Sequence, residues 1–152
     1  METVNEIRRE IHIEASPEEV WAVVGDTEGY RTWNPFITAV QGNLRKGGSL
    51  SVTARFVRGV PALKFQAEVV RLEPERELSW RVSFAGGMLC ALHSFTLCEQ
   101  PPGGVLFIHC EQFTGIFGSL ALHVVRRWFC GRYDGMNKAL QACVIARKRT
   151  GS

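Results

Sequence analysis

The stretch "LHVVRRWFCGRYDGMNKALQACVIARK", Leu122 to Lys148, is where the apolar residues of this chain change period. Leu122, Val125, Trp128, Phe129, Met136, Leu140, Cys143 and Val144 recur at helical spacing, with Arg126, Arg127, Arg132, Lys138 and Arg147 mostly elsewhere. The spacing predicts one long C-terminal helix. Gly131 and Gly135 fall inside it, each costing about 1 kcal/mol relative to alanine in a helix interior. They are expected to mark a bend or to allow close approach to the sheet.

Upstream, the period is two. "SLSVTARF" (49–56) places Leu50, Val52, Ala54 and Phe56 inward, and "ALKFQAEVV" (62–70) does so with Leu63, Phe65, Ala67 and Val69. "ELSWRVSF" (77–84) puts Leu78, Trp80, Val82 and Phe84 on one face, and two further runs follow, Leu89–Cys98 and "VLFIHCEQFTG" (105–115). "RGVP", Gly86-Gly87 and "EQPPGG" supply turns between them. Near the N-terminus, "IRREIHIEA" (7–15) alternates, with Ile11, Ile13 and Ala15 opposite Glu10, His12 and Glu14. "SPEEVWAVVGD" then starts a helix, with Ser16 as N-cap, Pro17 at the first helical position and Glu19 completing a capping box; Val20, Val23 and Val24 form its apolar face. A second short helix is expected over "TEGYRTW" (27–33), capped by Thr27 and stopped by Pro35. The architecture expected is α+β: a sheet of about seven strands, two short helices after the first strand, and a long helix over the apolar face.

The 152 residues, 45% hydrophobic, suit a single domain over 1–152 that folds without a disulfide or metal staple. Five cysteines, with no C-x-x-C pair, suggest free thiols in a reducing compartment and hence a cytoplasmic protein. "METVNEIRRE" is too charged for a signal peptide, and uncharged runs such as Gln112 to Val125 are too short to cross a bilayer, so a soluble chain without stable membrane insertion is expected. Net charge is +3, and residues 126–152 hold seven Lys/Arg against one Asp. That excess reads as a solvated helix face rather than a nucleic-acid surface.

"ASPEEVW", "D…Y…WNPFI", "HSFTL" and "HCEQFTG" resemble the motifs of the START-like superfamily of polyketide cyclases/dehydrases and lipid-transport proteins, over nearly the whole chain. The resemblance implies a helix-grip fold, in which an antiparallel sheet curls around the last helix and leaves a cavity for an apolar ligand. It does not fix the chemistry, because that scaffold carries binding proteins, cyclases and chaperone regulators.

Signature motifs of nucleotide-binding loops, zinc proteases and serine hydrolases are missing from the sequence. His93, His109, Glu111 and the cysteines lack local metal-ligand spacing, so neither a metal nor a cofactor is expected. Register is more informative. Phe95 and Leu97 must share a face with Phe107 and Phe113, which places His93, His109 and Glu111 on that face too. One register sets His93 directly across from Glu111; a slip by two residues sets it across from His109 with Glu111 on the diagonal. A carboxylate on an apolar face must be hydrogen-bonded, neutralised or wet. Glu111 and His93 are therefore read as the polar end of a cavity or as a pair tying the strands together, with His109 in packing or a supporting role. Cys90, Cys98 and Cys110 should face away from His93.

The ligand-binding set expected is Trp33, Phe56, Phe65, Trp80, Phe84, His93, Phe95, Phe107, His109, Glu111, Phe113, Met136 and Leu140. Trp33 and Phe36 are alternatively plugs at the helix-to-sheet junction, with Asn34 and Pro35 setting the turn. Three functions compete: binding of a small hydrophobic molecule; a cofactor-independent cyclase or dehydratase using Glu111 and His93 as acid and base; and a protein-interaction module of the chaperone-activator type working through the basic helix. Oligomeric state is left open.

Overall fold

Strict alternation gives the strands their bounds. The computed structural model describes Asn5 to Gly151; Met1–Val4, the start of the stretch read as too charged for a leader, and Ser152 lie outside the described residues. The strands are β1 (Asn5–Ile13), β2 (Ile37–Gly42), β3 (Ser49–Ala54), β4 (Leu63–Glu73), β5 (Glu77–Phe84), β6 (Leu89–Glu99) and β7 (Val105–Thr114). They form one sheet in the order β1-β7-β6-β5-β4-β3-β2, every neighbouring pair antiparallel. Register shifts between Ile37 and Ala39 and between Val69 and Arg71 are bulges, which sharpen the local twist and help the sheet to curve. The first bulge breaks the period of two in β2, so no alternation pattern marked that strand in the sequence.

Between β1 and β2, α1 (Pro17–Val24) starts where the capping box requires: Ser16 Oγ accepts from Glu19 N at 3.2 Å, and Glu19 Oε2 accepts from Ser16 N at 2.8 Å. Val20, Val23 and Val24 are buried. The next turn departs from expectation. Thr27–Gly29 is a 3-10 turn capped by Asp26, whose Oδ1 accepts from Gly29 N, while Thr27 is buried. The short helix α2 is Tyr30–Trp33. Asn34 sets the following turn by accepting from both Phe36 N and Ile37 N at 2.9 Å.

The C-terminal helix α3 (Gly118–Thr150) runs unbroken for 33 residues across the sheet. Its buried stripe is Phe129, Tyr133, Met136, Asn137, Leu140 and Val144. Trp128, expected on that stripe, is 52% exposed, because it sits one residue, about 100° of helical rotation, off Phe129. Arg9 clamps Asp134 through two bonds of 2.8 and 2.6 Å, Gln141 donates to the His12 carbonyl, and Arg147 and Lys148 donate to the carbonyls of Ala22 and Glu14. The basic C-terminal end thus grips β1 and α1 instead of only facing water. Gly115, at φ 90° between β7 and α3, lies against the Met88 carbonyl, where a side chain would collide, and so joins the β5–β6 turn to the helix start.

Two inward assignments fail at strand ends. Leu63 opens β4 and is 60% exposed; Phe84 closes β5 opposite Leu89 and is 45% exposed. Alternation fixes the face of each but not whether anything covers it. Gly131 and Gly135 do not allow close approach either, since a Cβ at either position meets nothing within 4 Å. Gly131→Ala should therefore raise the unfolding free energy by about 0.5–1 kcal/mol, and Ser16→Ala should lower it by about 1 kcal/mol. Urea titration checks both. A destabilised Gly131→Ala would reveal a contact at that turn, and an unchanged Ser16→Ala midpoint would show that the cap bond contributes nothing.

Candidate functional site

Four neighbouring strands bring the site together through register. Trp80 of β5 pairs with His93 of β6, His93 pairs with Glu111 of β7, and Glu111 pairs with Ile7 of β1. Of the two registers open to the sequence, the structure adopts the one with His93 directly opposite Glu111. His109, two residues from Glu111 on the same face of β7, is then diagonal to His93. From above, α3 lowers Tyr133 and Asn137 onto this row.

The hydrogen bonds run diagonally rather than straight across. His109 Nε2 and His93 Nε2 are 2.9 Å apart, and His109 Nδ1 lies 3.0 Å from Asn137 Oδ1. His93 Nδ1 faces Glu111 Oε2 at 3.6 Å, too far for a hydrogen bond. His109 is therefore the direct partner of His93, a closer role than the sequence assigned it. With Asn137 Oδ1 accepting, His109 carries its proton on Nδ1, so its bare Nε2 accepts from His93 Nε2–H. His93 Nδ1 is then left as a bare acceptor facing the Glu111 carboxylate across 3.6 Å. The opposite amide orientation of Asn137 would reverse each donor and leave His93 Nδ1–H pointing at an ionised Glu111. Both arrangements make the two imidazoles a relay anchored on the helix, with the Glu111 carboxylate standing 3.6 Å beyond its end.

Stacking fixes the rings. Trp80 lies parallel to His93 at 5.3 Å and 8°, and Tyr133 lies parallel to His109 at 4.0 Å and 9°. His109 is fully buried, and its pKa is held well below the ordinary imidazole value, first by desolvation and then by the neighbouring His93; the Asn137 bond opposes this only in part. On the other face of β7, burial and then the Glu6 charge push Cys110 up to about 12, so it remains a thiol at neutral pH. No group of three His, Cys, Asp or Glu among the described residues is arranged to hold a metal ion.

Beside the relay is a cavity of about 20 Å³, room for one water, walled by Phe36, Ile37, Val52, Ala54, Phe56, Phe65, Trp80, Val82, His93 and Glu111. The structure thus collects Phe56, Phe65, Trp80, His93 and Glu111 from the set expected in the sequence. Phe95 and Phe107 stack on each other at 5.7 Å in the packed core, where Met136 and Leu140 are also buried. Phe113 packs near Phe129, Trp33 lies edge-on to Tyr30, and Phe84 faces solvent. The large internal cavity expected is filled by these aromatic side chains. Phe36, read as a plug, is a cavity wall in contact with Phe56 and Tyr133 at 5.4 Å. Sequence reasoning missed Tyr133 and Asn137. Both lie four to eight residues beyond Phe129, on the stripe that continues to Leu140, and that spacing was the available signal.

The buried His109 gives stability a pH dependence of definite sign. It is neutral in the fold and takes up a proton on unfolding below its ordinary pKa of about 6.5, so its contribution is complete above that pH and lost as pH falls below it. Between about pH 6.5 and 5 the native chain should lose on the order of 1–2 kcal/mol more than His109→Phe. Urea midpoints at several pH values measure this, and parallel curves for the two proteins would refute it.

Comparison with known proteins places this geometry. The family model described as polyketide cyclase / dehydrase and lipid transport matches residues 5–144. No curated protein sequence matches the chain. Among solved structures, the Zhui aromatase/cyclase from a Streptomyces species is similar with a TM-score of 0.78 at 13% identity, covering 99% of each chain. TTHA0849 from Thermus thermophilus is similar with a TM-score of 0.71 at 19% identity, covering 93% of this chain and 98% of its own. The di-domain ARO/CYC StfQ of the steffimycin biosynthetic pathway matches at 0.72 and 13% identity, covering 98% of this chain and 52% of its own. At these identities the structures share the helix-grip fold, and the family match over nearly the whole length means that the chain belongs to the polyketide cyclase/dehydrase and lipid transport family.

Proposed function

We propose that the chain, acting as one domain, binds a small hydrophobic molecule bearing a single oxygen function between the sheet and α3, with Glu111 and His93 receiving that oxygen. One observation carries the reading. The Glu111 side chain, only 12% exposed, lines the cavity wall, yet no hydrogen bond from a described residue reaches its carboxylate and its imidazole neighbour stands off at 3.6 Å. A carboxylate that served only to tie strands would be saturated by donors, because a buried, unbonded charge is severely penalised. Tyr133 Oη and Asn137 Nδ2, both buried without a partner among the described residues, add polar capacity in the same region.

The resting cavity is too small for such a molecule, so admission requires the walls to move. Phe56 and Phe65 are the half-buried walls, at the sheet end that carries the β3–β4 turn. Their rotation outward would extend the cavity toward solvent without disturbing the relay. The ligand would then exchange an apolar contact with Trp80 and Phe36 for the rings displaced.

A second reading is favoured by the relay itself and by the cyclase neighbours. With a ligand between them, His93, oriented by His109 and Asn137, and Glu111 could act as an acid and base pair, one giving a proton to a ligand carbonyl or hydroxyl oxygen while the other takes a proton from the adjacent carbon. Enolisation followed by ring closure or loss of water needs no more than that from the protein, so a cofactor-independent cyclase or dehydratase would use the same pocket.

Naphthol and naphthalene separate the polar site from mere apolar burial. The native chain should bind naphthol more tightly by roughly tenfold or more, the worth of a hydrogen bond to a charged group, and Glu111→Gln or His93→Phe should remove that preference while leaving naphthalene affinity nearly unchanged. Native mass spectrometry of the purified chain should also retain a small molecule that the variants release. Equal affinity for both probes in the native chain would mean that the relay is structural; binding of neither would overturn the pocket.

A further inference from the structure

Every large apolar side chain left exposed among the described residues lies at one end of the molecule. Ten are exposed, including Leu63 at 60%, Met88 at 44%, Ile116 at 77%, Leu120 at 61%, Val124 at 53% and Trp128 at 52%. They come from the β3–β4 turn, the β5–β6 turn, and the link from β7 into the first turns of α3. Antiparallel pairing puts these segments at the same end: β3, β5 and β7 finish there, and β4 and β6 begin there. Phe117 N bonds the Met88 carbonyl at 3.2 Å, and Arg132 Nε bonds the Phe56 carbonyl at 3.0 Å, so helix and turns are held as one surface.

Leu120, Val124 and Trp128 follow one another at a spacing of four on the side of α3 turned away from the sheet. That is where a helix on a water-facing surface carries polar residues. The charges of these segments are one-sided as well. Residues 55–64, 84–89 and 114–132 contain Arg55, Arg58, Lys64, Arg126, Arg127 and Arg132 and no aspartate or glutamate. Among the described residues, Glu111 points inward, Glu6 accepts from Gln112, and Asp134, two residues beyond Arg132, is clamped by Arg9. An apolar surface this extensive marks an interaction site.

We propose that this end docks on the headgroup layer of an anionic lipid bilayer, with the turn and helix apolar residues entering the interface and the six cations lying over acidic headgroups. Three features select this occupant. The apolar groups protrude from turns and one helix face, with Trp128 at the edge, as in peptides that lie in a membrane interface. Each cation near an acidic membrane surface adds about 1 kcal/mol of attraction. A second copy of the chain would bring cations against cations, which opposes self-association through this face. No described helix is long and apolar enough to cross a membrane, so the contact is interfacial. The inference stands independently of whether the cavity takes a ligand.

Cosedimentation of the full chain with phosphatidylcholine vesicles, with and without phosphatidylglycerol, tests it. The native chain should bind phosphatidylglycerol vesicles roughly tenfold or more tightly than pure phosphatidylcholine, and binding should weaken with salt. Leu120→Glu/Val124→Glu and Arg58→Glu/Arg127→Glu should each reduce that binding by about tenfold or more, with the melting midpoint unchanged because all four side chains are exposed. If a variant fails to fold, quenching of the native Trp128 by bromine-labelled acyl chains, corrected with Trp128→Phe, decides the question. Absence of vesicle binding, or binding equal on both vesicle types, overturns the proposal. So does a solution dimer dispersed by Leu120→Glu, which would make the face a self-interface, or equal affinity for polyglutamate, which would assign it to an acidic protein.

Discussion

A line of polar side chains crosses the apolar layer between helix and sheet, from Asn137 through His109 and His93 to Glu111. Burying such groups is costly unless each finds a partner, and the partners here belong to different elements: α3, β7 and β6. The bonds can form only if β6 and β7 pair with His93 opposite Glu111 and if α3 is rotated to set Asn137 and Tyr133 over that row. A slip of β7 by two residues or a turn of α3 by one would strand buried polar atoms. The relay therefore constrains how the two layers meet, and the same constraint fixes which groups face the cavity.

The relay is complete at its helix end and incomplete at its carboxylate end, and that asymmetry separates structure from function. Asn137 and Tyr133 hold His109 in a single orientation, and His109 in turn holds His93. Glu111 is left without a hydrogen bond from a described residue beside a cavity with room for one water. The cost of that incomplete end is offset elsewhere in the apolar packing, as expected where a fold keeps a polar group for use rather than for stability. Tight filling by Phe95, Phe107 and Tyr133 keeps the resting interior closed, while the half-buried Phe56 and Phe65 stand between it and the end of the molecule where the exposed apolar residues gather.

Much of this was legible in the sequence because period and parity are local. Ser16 and Glu19 marked the start of α1, the alternation of β3, β5, β6 and β7 gave their inner faces, and the parity of Phe95, Leu97, Phe107 and Phe113 put His93, His109 and Glu111 together. What failed depends on three dimensions. Asp26 and Thr27 are adjacent residues able to cap, and the turn geometry chose between them. Leu63 and Phe84 have the right parity but sit on end rungs that nothing covers. The bulge in β2 erased its alternation. Tyr133 and Asn137 occupy the buried stripe of α3, yet a search for apolar periodicity passes over polar residues. The cavity volume follows from the packing of many side chains at once, and the family resemblance carries no information on it.

Nitrogen-resolved NMR of the imidazole rings, followed from about pH 5 to 8, tests the account most directly, since it reads the protonation state of each ring nitrogen. His109 should remain neutral throughout, in a single tautomer, and the His93 signal should change when Glu111 is replaced by Gln although its own sequence neighbours are untouched. A His109 that titrates near the ordinary value of about 6.5, or a His93 signal indifferent to Glu111→Gln, would contradict the relay and the site built on it.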